Sequence, residues 1–131
     1  MERRNQIEVL FGPDCMIDCI NASIATERAA AVIDASGVSR QGGTVYFTGI
    51  AQRCLAHYLL AAAILGEGAV TVVGWARADD QQPWDVLAGR PDVVPSEWAG
   101  ARSEIAQLPP EQKVAVFLTL RTALAPGIAV S

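Results

Sequence analysis

Basic charge is scarce in this 131-residue chain. Lys and Arg together number 10, with Lys113 the single lysine, against 14 acidic residues, for a net charge of -4. A pI near 4.8 excludes a broad phosphate-binding surface, because nonspecific nucleic-acid affinity comes from clustered Lys and Arg. A Walker-type nucleotide site is excluded as well, since Lys113 stands apart from every glycine loop. Only three cysteines are present, an odd number without framework spacing, which points to a reducing, cytosolic compartment. Long apolar runs are missing. The longest, Tyr58–Leu65, is far shorter than the roughly 20 residues a bilayer span requires, so no membrane contact is expected of this chain. No cationic start, apolar core and cleavage site mark a secretory signal.

What is present is apolar and rich in alanine: 51% of residues are hydrophobic and 18% charged. Such a chain can bury roughly 65–70% of its unfolded surface, which excludes disorder and suits one domain. Residues 1–20 form a separate leader. Ile7–Phe11 reads as a short strand ended by Gly12-Pro13, yet Glu8–Pro13 also resembles a viral 3C-type protease cleavage tag lacking its Gln. Native strand and engineered remnant both stay open, and the leader carries no functional argument.

From residue 21 to 131 the spacing predicts an all-α fold, one compact bundle of five to six helices with a long central helix. The first helix is expected from about Ala22 to Ala35, with Ala25, Ala29, Val32 and Ile33 on one face and Ser36-Gly37 as its end. The strongest element is Val45–Leu65. There Phe47, Ile50, Ala51, Cys54, Leu55, Tyr58, Leu59, Ala62 and Leu65 repeat at helical spacing between a Thr44 N-cap and a Gly66 C-cap. It turns apolar all round toward Leu65, as a buried helix end should. Val70–Ala76 is β-branched, but with no second strand to pair it reads as a short helix carrying Trp75 inward. Pro83 opens another short helix through Ala88. Ser96 is expected to cap a helix from Glu97 to about Gln107, with Trp98, Ile105 and Leu108 on one side. Pro110 starts the last helix, Glu111–Ala125, in which Val114, Phe117, Leu118, Arg121 and Leu124 recur until Pro126-Gly127 stops it.

Chemistry is sparse. His57, the only histidine, is the one group whose ordinary pKa suits base catalysis near neutrality. Pairing it with Cys54 or Ser39 leaves no third member and no oxyanion hole, so it reads as a partly exposed helix histidine beside a core cysteine. Cys15, Cys19, Cys54 and His57 have the ligand types of a structural zinc site, but tight C-x2-C knuckles are absent and buried free cysteine is common. No metal and no cofactor are expected. Asp79-Asp80 read as a solvated turn, and Trp75, Trp84 and Trp98 as core or interface anchors. No catalytic residue is assigned, and no enzyme activity is expected.

Gly43–Phe47 leading into Ala51–Ala63 resembles the all-alpha domain of actinobacterial VirD4/TraG-like coupling proteins, the ATPases of conjugative type IV secretion. That domain also has a loop, an aromatic residue, then a long Ala/Leu helix ending in an Ala-Ala-Ala run. Thr26–Ala35 is similar to the Arg/Ala-rich helix before the loop, Val70–Ala76 to the tryptophan-bearing segment, and Ser103–Pro126 to the final helix. The resemblance covers about Thr26 to Pro126 and lacks the motor's phosphate loop, as an excised insertion domain would. It implies recruitment of relaxase, DNA or other secretion substrates on the cytoplasmic face of a membrane-anchored, hexameric parent, with this chain a monomer or weak oligomer. Its acidity suits a basic protein partner better than DNA. The expected contact positions are Arg40, Gln41, Arg77, Asp79, Asp80, Trp84 and Arg90. A free-standing helical DNA-binding or adaptor protein is the alternative, although no helix carries more than two basic residues.

Overall fold

A computed structural model describes residues 19–36, 45–78, 80–98 and 100–130. Among them every regular element is helical: α1 (Ala22–Ser36), α2 (Val45–Leu65), α3 (Ala69–Ala78), α4 (Gln82–Ala88), a 3-10 turn (Ser96–Trp98), α5 (Ala101–Ala106) and α6 (Pro110–Val130). The compact all-α bundle with a long central helix is therefore the observed architecture. The expected strand at Ile7–Phe11 and the Thr44 cap lie outside the described residues.

Helix α2 is the axis, and each of the other five helices packs against it. From Cys54 to Ala62 every side chain is buried, so this stretch has no solvent face. A helix so enclosed must be apolar all round, which the Leu-Leu-Ala-Ala-Ala run supplies. The enclosure stops short of the helix end: Leu65, expected on the buried stripe, is 41% exposed, because the chain turns away into solvent at Gly66. Its end is a Schellman motif. Gly66 sits at φ 72°, its N–H donates to the Ala63 carbonyl, and the Glu67 N–H donates to the Ala62 carbonyl at 2.8 Å. A side chain at Gly66 would be strained by the left-handed backbone.

Helix α1 lays Ala25, Ala29, Val32 and Ile33 against the core, the face its spacing predicted. Its N-cap is Asn21, whose Oδ1 accepts the Ser23 N–H at 2.9 Å and the Ile24 N–H at 3.3 Å. Helix α3 resolves the β-branched ambiguity. Val72, Val73, Trp75 and Ala76 are buried on one helical face while Val70 is exposed, so packing overrides strand propensity.

Two expectations need correction. The helix expected from Glu97 to Gln107 is broken, because Gly100 adopts φ 95° and cannot continue a right-handed helix. Ser96 instead leads a 3-10 turn held by the Trp98 N–H on the Pro95 carbonyl, and α5 starts anew at Ala101. The last helix does not stop at Pro126-Gly127, and its backbone runs on to Val130. A proline removes one intrahelical bond, which a helix already propagated for four turns can absorb. The buried face of α6 is Val116, Phe117, Leu120 and Leu124, whereas Val114 and Leu118 are 61% and 56% exposed.

Truncating Leu59 (Leu59→Ala) is expected to cost about 2–5 kcal/mol, since a side chain enclosed by several helices leaves a cavity they cannot refill. Leu118→Ala is expected to change stability by no more than about 0.5 kcal/mol. Urea unfolding midpoints of the two variants measure the contrast.

Candidate functional site

One turn of α2 is polar where the rest is apolar. Arg53 and His57, four residues apart, share the side facing the 3-10 turn and α5. Between these elements and α1 lies a cleft of about 540 Å³, walled by Thr26, Gln52, Arg53, His57, Trp98 and Glu104. A second cleft of about 470 Å³ opens on the other side of the same turn, where His57 and Trp98 meet Trp84, Asp85 and Pro95. His57, Trp98 and Gly100 belong to both walls.

Across the first cleft Arg53 forms a two-pronged ion pair with Glu104, Nη2 to Oε1 at 2.6 Å and Nη1 to Oε2 at 3.3 Å. Both side chains are about half exposed, so solvent and salt screen the pair. It fastens α5 to α2 at a position 51 residues away in sequence, which periodicity cannot reveal.

His57 is not the partly exposed residue expected from sequence: only 5% of it is accessible. Its ring lies between two indoles, with centroids 4.4 Å from Trp98 and 5.3 Å from Trp84. Nδ1 is 2.6 Å from the Arg53 carbonyl, an acceptor only, so Nδ1 carries the proton and donates. Nε2 is shielded from solvent and makes no hydrogen bond. Burial pushes the His57 pKa below its ordinary 6.5, and the nearby Arg53 guanidinium acts in the same direction. The Arg53 and Trp98 carbonyls oppose both but do not reverse them. The ring is therefore neutral near pH 7, with a lone pair on Nε2. In chemical terms that nitrogen is an acceptor or weak base. Cys54, the nucleophile nearest in sequence, is fully buried one turn earlier on the same helix.

The expected contact positions scatter. Arg40, Gln41 and Asp79 lie outside the described residues, as do Ser39 and Cys15. Arg77 is exposed in the last turn of α3. Asp80 is half-buried, and its Oδ1 accepts the Gln82 N–H at 2.9 Å, opening α4. Arg90 is held locally by Asp92 through two contacts of 3.0 Å, which raises the arginine pKa and lowers that of the carboxyl. Trp84 is corrected: at 7% exposure it is a core residue that packs against Tyr58 and His57 and is no free contact position. Cys19 and Cys54 are both buried thiols, and among the described residues no three His, Cys, Asp or Glu side chains gather as a metal site. Among the same residues no helix is long and apolar enough to cross a membrane.

Glu104, Trp98 as the cover of His57, and the Gly100 break were not foreseen. A glycine inside a helical pattern was the one available signal. No family model, curated protein or solved structure matches this chain.

A double-mutant cycle on Arg53→Ala and Glu104→Ala is expected to give a coupling of about 0.2–1 kcal/mol by chemical denaturation. That coupling should largely vanish in about 1 M salt, where the Debye length is near 3 Å.

Proposed function

We propose that this chain is a non-catalytic, substrate-recruiting helical domain of a conjugative coupling ATPase, working on the cytoplasmic face of its parent complex. The observation that carries the reading is α2, an Ala/Leu helix enclosed by all the others, set in the order of helices that the resemblance implies. The alanine-rich α1 precedes it, the Trp75-bearing α3 follows it, and the long α6 closes the bundle. A rigid spine of this kind suits a platform that displays loops and clefts to another protein. Net acidity favours a basic protein partner, a relaxase or another exported substrate. The half-exposed Arg53–Glu104 pair and Trp98 supply charge and an aromatic face beside a cleft large enough for partner side chains.

Isothermal titration against the cognate relaxase and accessory proteins is the test. Binding in the micromolar range, with no ATP hydrolysis by the isolated chain, is expected. Absence of heat and of any complex at high micromolar concentration contradicts the proposal. A salt-dependent gel shift with bare duplex would replace it by a DNA-binding reading.

A further inference from the structure

We propose that His57 is a proton-operated latch: its neutral ring, packed between Trp84 and Trp98, holds the Ser96–Trp98 turn on α2, and uptake of a second ring proton releases that turn. The inference stands whatever partner the domain recruits.

The geometry leaves the protonated ring without a place. Nδ1–H already donates to the Arg53 carbonyl at 2.6 Å, so the added proton must go to Nε2. That nitrogen is closed off from water and has no hydrogen-bond partner. The Trp98 carbonyl lies close enough to favour a cation but does not reach hydrogen-bonding geometry with Nε2. An imidazolium there would bury a charge whose nearest acceptor, the Trp98 carbonyl, stands outside hydrogen-bonding geometry, a costly state that local opening to water relieves.

The charged surroundings do not offset this cost. On its own helix His57 faces the Arg53 guanidinium, which repels a second cation. From α5 the facing group is Glu104, whose carboxylate is committed to Arg53 at 2.6 Å. From α4 it is Asp85, exposed on the wall of the second cleft. Helix α1 contributes Thr26 to the walls and no ionisable side chain among the described residues. The indole faces attract a cation weakly, and both rings are tilted to the imidazole, by 35° and 46°. Burial and the Arg53 guanidinium lower the His57 pKa, and the Arg53 and Trp98 carbonyls only partly oppose them.

The turn is the element that gives way. Around His57, α2 is enclosed on every side and cannot shift without unfolding the core. The turn is short, its Trp98 N–H bonds only to Pro95 at 3.0 Å, and Trp98 itself is half-buried. Clefts flank it on both sides. Gly100 follows at φ 95°, with open space where a Cβ would sit, so the chain can pivot there.

A closed-state pKa below the ordinary value fixes the sign. The latched form keeps its full stability above about pH 6.5 and loses it as pH falls from there through the closed-state pKa. His57 is the only histidine, the one side chain whose ordinary pKa falls between about pH 5 and 7, so that window reports mainly on its ring.

The test is backbone hydrogen exchange of the intact chain across that window, corrected for intrinsic exchange rates. Protection of the Trp98 amide, and of residues 96, 97, 100 and 101 beside it, should fall about tenfold toward pH 5 while residues 54–62 stay protected. In His57→Phe, which keeps a ring between the indoles but cannot charge, the pH dependence should vanish. Unchanged protection in the wild type, an equal loss in the variant, or parallel loss across α2 overturns the latch. An NMR titration of the His57 ring in the wild-type protein serves if the variant does not fold. A midpoint below 6.5 supports the latch, and one at or above 6.5 overturns it.

Discussion

The placement of α3, α4 and the 3-10 turn depends on two adjacent side chains in the middle of α2. His57 and Tyr58 receive the three tryptophans of the chain, each from a different element: Trp98 from the 3-10 turn, Trp84 from α4 and Trp75 from α3. Tyr58 meets Trp84 and Trp75 edge-on with ring centroids 5.9 and 6.0 Å apart. The result is an unbroken sequence of rings, Trp98–His57–Trp84–Tyr58–Trp75, running from the cleft into the core. Edge-on and tilted aromatic packing is directional, so these contacts set where α3, α4 and the turn sit as well as how much surface they bury. The Trp75 indole N–H then donates to Gln82 Oε1 at 3.1 Å, tying α3 to the start of α4. Among the described residues, four aromatic side chains and the one histidine join in this row.

That row of rings also accounts for the two clefts bordering the same turn. Toward α1 and α6, α2 packs mainly against Ala25, Ala29, Val32, Ile33, Val116, Leu120 and Leu124 of the core cluster. On the side of the turn, the covering element is short, interrupted at Gly100 and bordered by clefts. The fold thus sets a rigid spine against a less enclosed edge, and in general binding regions come from the less stable parts of a fold. The exposed Val114 and Leu118 on α6 and Val70 on α3 are further apolar surface outside the core.

The legible parts of the fold are those governed by local spacing. Ala25, Ala29, Val32 and Ile33 repeat at helical intervals and are buried together, and the α2 stripe from Ile50 to Ala62 behaves likewise. Gly66 was readable as a helix end because only glycine takes a left-handed φ cheaply. Other features depend on where distant elements land. On α6 two apolar stripes overlap, one through Val114 and Leu118 and one through Val116 and Leu120. Only the placement of α2 and α3 decides which is inside. His57 lies at the margin of its stripe, and its burial depends on Trp98, a residue of a turn that Gly100 creates. The Arg53–Glu104 pair joins elements with no common periodicity. The cleft was therefore invisible from the sequence, although His57, one of its walls, was already singled out as the only histidine.

The claim underlying all of this is that residues 54–62 of α2 form the last part of the molecule to come apart. Native-state hydrogen exchange at neutral pH, followed through a series of sub-denaturing urea concentrations, measures it directly. Amides of this stretch should exchange only through global unfolding, with the steepest urea dependence in the chain. Exchange of residues 54–62 through a smaller opening, while α6 or α1 stays protected, would contradict it.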